Sequence, residues 1–202
     1  MKMKLGKREI YYYETGEGFE VERLAGRFLM LLLEELRRTG KSEVIFLCIG
    51  TDRSTGDSLG PLIGYKLTKQ CLCRGEVMGT LDRPVHAVNL KQCMLEMEDK
   101  LKRAVVIAVD ASVGRTEQVG SITLGRGKLR PGLGVKKELG AVGDIFITGV
   151  VGSGVCEDPV FLQSVRLSIV MGLADRISRS ICLGMSLIDR YVEKFSEDPS
   201  LI

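Results

Sequence analysis

The sequence predicts an α/β protein: a three-layer α-β-α sandwich built on a mostly parallel, five-stranded sheet. Two short apolar runs, Val44 to Ile49 and Ala104 to Val109, are continuous rather than alternating, as suits strands covered on both faces. Segments with helical spacing separate the strand candidates, so the order reads β-α-β-α-β, and right-handed crossovers then place helices on both sides of an open sheet. At 202 residues, of which 45% are hydrophobic and 27% charged, the chain suits a single domain over residues 1–202.

The elements follow in order. Phe19 to Arg38 carries Val21, Leu24, Phe28, Leu31, Leu32 and Leu36 at helical spacing, with Gly40 as the stop and Arg37, Arg38 and Lys41 at the negative end of the dipole. Val44 to Ile49 is the first strand. Ser58 to Lys69 reads as helix, Pro61 being tolerated in its first turn. A weaker strand spans Glu76 to Thr80, and a helix from about Leu90 to Lys102 has Asn89 as its expected cap. Ala104 to Val109, ended by Asp110, is followed by strand candidates at Gly120 to Leu124 and Ile145 to Val151. The Gly-rich, charged stretch between those two reads as an extended loop. Pro159 to Lys194 is helical, as one bent helix or two, with Gly172 and Gly184 as candidate interruptions.

Composition removes several classes of function. The net charge is only +3 and basic residues are interleaved with acidic ones, so no nucleic-acid partner is expected. Cys48, Cys93, Cys156 and Cys182 sit in apolar segments, which suits buried free thiols. Cys71 and Cys73 lack the second pair that a zinc site needs, so neither a structural metal nor a cofactor is expected. The amino terminus has no apolar signal core. The most hydrophobic segment, near the carboxyl end, is interrupted by Arg166, Asp175, Arg176 and Arg179, so the expectation is a cytoplasmic protein with no membrane partner. Apolar terminal helices leave homo-oligomerisation open, or else they simply cover the sheet.

In an open parallel sheet ligands bind beyond the carboxyl ends of the strands, where strand order reverses; in the order 2-1-3-4-5 that place lies between the first and third strands. Here those strands end at Gly50 and Asp110. The loop GTDRSTGDSLGP, Gly50 to Pro61, adds Asp52 and Asp57 near the start of a helix. From the loop alone Asp57 reads as a helix cap. Asp110, emerging at the same edge, turns the pair into a candidate catalytic centre, because neighbouring carboxylates titrate apart and supply an acid and a base for hydrolysis. The same two oxygen-bearing side chains could instead hold a hard cation such as Mg²⁺. The loop matches neither phosphate-binding glycine pattern, and its acids would repel a phosphate. His86, the sole histidine, reads as a hydrogen-bonded loop residue, with no nucleophile motif to pair with it. Thr51, Asp52, Ser54, His86 and Lys136 are the candidate substrate-binding residues.

Four segments, CIGTDRSTGDSLGP, GTLDRPVHAVNL, VIAVDASVG and LRPGLGVKKELGAVGDIFITG, together resemble the YyaC-type sporulation proteins, over about Val44 to Gly152. That family is similar in turn to the germination protease, an atypical aspartic endopeptidase of bacterial spores, and to the hydrogenase maturation endopeptidases. The resemblance implies a phosphorylase/hydrolase-like fold. It also implies catalytic roles for Asp57, in TGDSLGP, and for Asp110, in VDAS. The implied activity is hydrolysis of peptide bonds in a small protein or peptide, such as a spore protein, in the developing spore compartment. The maturation endopeptidases hold nickel with a histidine downstream of the second aspartate. No histidine follows Asp110, so nickel recognition is not implied here. A peptide- or metal-binding regulator that keeps the fold without turnover, and a metal-dependent hydrolase of a small substrate, are the alternatives.

Overall fold

A computed structural model describes residues 9–70, 75–131, 140–154 and 162–197. Its centre is a six-stranded mixed sheet in the order β1-β5-β6-β4-β2-β3, where β1 is Ile10–Tyr13, β2 Glu43–Cys48, β3 Gly75–Met78, β4 Ala104–Gly114, β5 Ile122–Arg126 and β6 Ile145–Ser153. Strands β3, β2, β4 and β6 run parallel, while β5 is antiparallel to both β6 and β1. The helices are α1 (Val21–Thr39), α2 (Leu59–Gln70), α3 (Leu90–Glu96), α4 (Glu98–Arg103) and α5 (Leu167–Glu197).

The side-chain alternation of the strands divides the core in two. Phe46 and Cys48 of β2, Val105, Ile107 and Val109 of β4, and Ile147 of β6 join the apolar faces of α1, α2 and α5 in the larger cluster. Leu47 of β2 and Val106 and Ala108 of β4 point the other way, with Leu90, Cys93 and Met94 of α3 and Leu101 of α4. Helices therefore cover both faces, which is why β2 and β4 read as unbroken apolar runs. Leu24, Phe28, Leu31 and Leu32 of α1 and Val170, Leu173, Ile177 and Ile181 of α5 are buried in the larger cluster. The apolar content of the terminal helices is thus used in covering the sheet.

Four expectations need correction. The sheet has six strands rather than five, because β1 adds to the outer edge of β5, and it is mixed, because β5 runs antiparallel to both neighbours. Counting from β2 as the first strand, the order is 2-1-3-5-4, with β6 inserted between β4 and β5. The predicted helix over Leu90 to Lys102 breaks at Met97 into α3 and α4, and Asn89 makes no side-chain cap. Its amide turns back instead: Oδ1 accepts from the His86 amide at 2.8 Å and Nδ2 donates to the Pro84 carbonyl at 2.9 Å. Fourth, Cys182 is disulfide-bonded, whereas Cys48 and Cys93 are free as expected. Burial pushes the Cys48 thiol up to about 12, so it is inert packing.

Other features match the reading. Gly40 ends α1 in the left-handed conformation at φ 68°, its amide donating to the Leu36 carbonyl. Helix α5 runs unbroken through Gly172 and Gly184. A Cβ at Gly184 would meet Phe28 at 2.8 Å, so this glycine permits close approach of α1 and α5 rather than interrupting the helix. Lys41 reaches across to Asp144 at 3.2 Å, and Asp144 also accepts from the Val106 amide, tying the end of α1 to the entry of β4.

Candidate functional site

The end of β2 organises the site. At Ile49 the backbone is held on both sides: its amide donates to the Val109 carbonyl at 2.7 Å, and it forms a parallel bridge to Val85. The Gly50 amide then donates to the Val85 carbonyl at 2.8 Å. Three chain segments are thereby delivered side by side to one sheet edge, and the next residues along them are Gly50 with its loop, His86 and Asp110.

The loop after Gly50 folds back on itself. The Thr51 amide donates to the Asp57 backbone carbonyl at 3.1 Å. Gly50 lies at φ 141°, and a Cβ there would fall 2.0 Å from that same oxygen, so only glycine fits the crossing. One turn later, a Cβ on Gly60 would stand 2.0 Å from the Ile49 carbonyl. These two close approaches set α2 against the tip of β2. Asp57 lies inside a 3-10 turn, Gly56–Ser58, that leads into α2, and it is not a helix cap.

Asp110 does not end its strand. Strand β4 continues to Gly114, pairing with β6 alone after β2 leaves it at Val109. Asp110 sits at this parting of the strands. It is only 7% exposed, and its Oδ1 accepts from the Ala111 amide at 2.8 Å. Beside it in register on β6 stands Thr148, also buried, followed by Gly149. A Cβ on Gly149 would meet Leu59 at 2.7 Å, so the glycine lets the start of α2 close over the sheet. Sequence reasoning did not pick out Thr148, although a threonine and glycine interrupting the apolar run IFITGVVG were a usable signal.

The electrostatics separate the two acids. Burial pushes the Asp110 carboxyl well above the usual carboxylate range, and the negative charge of Asp57 pushes it further, against the opposing Ala111 amide. Burial also raises Asp57, more weakly opposed by the Thr51 amide and by His86 when that ring carries charge. Of the two, Asp110 is the group pushed further toward its protonated form. Its pull on Asp57 brings His86 into the site beyond the loop role that the sequence suggested. Its Nδ1 accepts from the Val88 amide at 3.3 Å.

The remaining predicted residues scatter. Thr51 is half-buried and its Oγ1 accepts from the Arg53 amide at 3.3 Å. Asp52 is exposed. Ser54 is half-buried, with its hydroxyl oxygen enclosed and without a hydrogen-bond partner. Lys136 lies outside the described residues. Among the described residues no group of three or more His, Cys, Asp or Glu is placed to hold a metal ion, and no helix is long and apolar enough to cross a membrane.

A cleft of about 600 Å³ adjoins this centre, between β3 and α3, with His86 in its wall. A second, of about 460 Å³, lies between β1 and α1 at the opposite edge of the sheet, remote from the acids.

Fold and site together define an α/β protein with Asp110 of β4 where the parallel strands part and Asp57 in the turn before α2 beside it. The chain belongs to the family described as "Protein of unknown function (DUF1256)", whose model matches residues 20–180 and so spans Asp57, His86 and Asp110. It is similar to "Uncharacterized protein YyaC" of Bacillus subtilis (strain 168), at 46% identity over 160 residues that cover 79% of this chain and 76% of that protein.

Proposed function

We propose that the chain is an aspartic-type endopeptidase that hydrolyses a peptide bond in a small spore protein, with Asp57 as base and Asp110 as acid. The observation that carries this reading is the burial of Asp110 within reach of the charge of Asp57, which pushes the Asp110 carboxyl further toward its protonated form than Asp57. Support for the peptide bond as target comes from the resemblance of TGDSLGP and VDAS to the aspartate segments of the germination protease, within a three-layer, phosphorylase/hydrolase-like frame.

Ionised Asp57 takes a proton from a water as its oxygen attacks the carbonyl carbon, and Asp110 gives its proton to the carbonyl oxygen. Collapse of the tetrahedral intermediate breaks the C–N bond. The proton held on Asp57 passes to the leaving nitrogen, and Asp110 recovers its own from the hydroxyl.

The test is incubation of the purified protein with small spore proteins, followed by mass spectrometry. Asp57→Asn and Asp110→Asn are expected to abolish cleavage with circular dichroism unchanged. Wild-type turnover in either variant would overturn the assignment.

A further inference from the structure

Strand β3 is the outermost of the parallel strands, paired on one side with β2 alone. In a parallel ladder alternate residues turn both backbone groups to the same neighbour, so every second residue of β3 directs its amide and carbonyl away from β2. Among the described residues these outward groups have no backbone partner. Such an edge is a template for another strand. Directly beside it lies the cleft of about 600 Å³, within the range of ligand sites, and its apolar lining comes from Val77, Met78, Pro84, Cys93 and Met97. His86 also lines the cleft.

We propose that this cleft binds an extended segment of the protein substrate as a seventh strand on the free edge of β3, with apolar side chains at alternate positions seated between β3 and α3. The inference rests on the hydrolytic reading for what happens next, since a segment lying along β3 leads past His86 to the aspartates. Continuity with that centre is what selects a peptide over a small apolar ligand. A strand offers main-chain groups to the open edge and side chains to the apolar wall in one conformation, and its alternation of side chains supplies the selectivity.

The experiment uses immobilised full-length Asp57→Asn protein and a library of random decapeptides. Selected sequences are expected to carry apolar residues two apart. A synthetic peptide from the selection is expected to lose at least tenfold in affinity when N-methylated at one set of alternate positions, and little at the other set. Cys93→Trp, which fills the cleft, is expected to weaken binding at least tenfold. Selection without alternation, or affinity indifferent to N-methylation, overturns the proposal without depending on how Cys93→Trp folds. The two readings fail separately: selected peptides that bind by this pattern but are not cut by wild type count against hydrolysis alone. Cleavage that is unaffected by Cys93→Trp, with that variant folded, counts against the cleft alone.

Discussion

Gly50→Ala probes how the site loop is held, and Gly127→Ala is its control. Both glycines have positive φ, 141° and 115°, so alanine at either position meets backbone strain of about 1–3 kcal/mol. The two differ in their surroundings. A Cβ on Gly127 would meet nothing within 4 Å, whereas on Gly50 it would lie 2.0 Å from the Asp57 carbonyl oxygen and 3.0 Å from Pro61. Restoring an ordinary contact displaces the Asp57 backbone by about 1 Å, a shift of the size that costs roughly 10²-fold when it falls on a catalytic group. Backbone shifts of this kind cost about 1–3 kcal/mol beyond the strain. Gly50→Ala is therefore expected to unfold at lower urea than Gly127→Ala, by about 1 M for a difference near 2 kcal/mol and a slope of about 2 kcal/mol per molar. It is also expected to lose most turnover, while Gly127→Ala keeps it. Equal midpoints, or full activity in Gly50→Ala, would refute the view that the glycine crossing positions Asp57.

Two further outcomes concern stability. Burial raises the Asp110 pKa, so folding takes up a proton between the unfolded value, about 3.9, and the higher folded one. The Asp110 contribution to stability is then full below about pH 4 and falls as pH rises to the folded midpoint, by about 1.4 kcal/mol for each unit of displacement. Asp110→Asn removes this loss, so denaturation curves across pH are expected to show the variant gaining on wild type from pH 4 upward; a gain toward acid would contradict the burial account. Elsewhere, Glu35 is 1% exposed and is held by Arg38 and by Arg126 at 3.1 Å, with Arg126 also bonded to Glu9 and Glu34. Arg126→Ala is expected to cost about 2–4 kcal/mol, reduced from the full cost of orphaning a buried charge because Arg38 remains; a loss below 0.5 kcal/mol on urea unfolding, the size of an ordinary surface change, would contradict this.

The parts of the fold legible in the sequence were those decided by local pattern. Unbroken apolar runs marked β2 and β4 because both faces of each are buried, and the 3.6-residue spacing with Gly40 bounded α1 closely. The order of the sheet was not legible beyond the adjacency of β2 and β4. Strand β1 is four residues long and pairs with β5 across more than a hundred residues, and nothing local to IYYY announces that partner. Asp110 was read as a strand end because the apolar run stops there, yet the chain stays extended by pairing with β6. Asp57 and Asp110 were found because each lies just past an apolar run at the same sheet edge. The influence of His86 on Asp57 depends on the bridge between Ile49 and Val85, a contact between segments that no spacing rule connects.

Carbon-13 NMR titration of the aspartate side-chain carboxyls, in wild type and in Asp57→Asn, measures the coupling directly. Asp110 is expected to titrate well above the ordinary carboxylate range in wild type, and at lower pH in the variant once the neighbouring charge is gone. An Asp110 midpoint near the unperturbed value, or one that does not move when Asp57 is neutralised, would mean that the two side chains do not share a site.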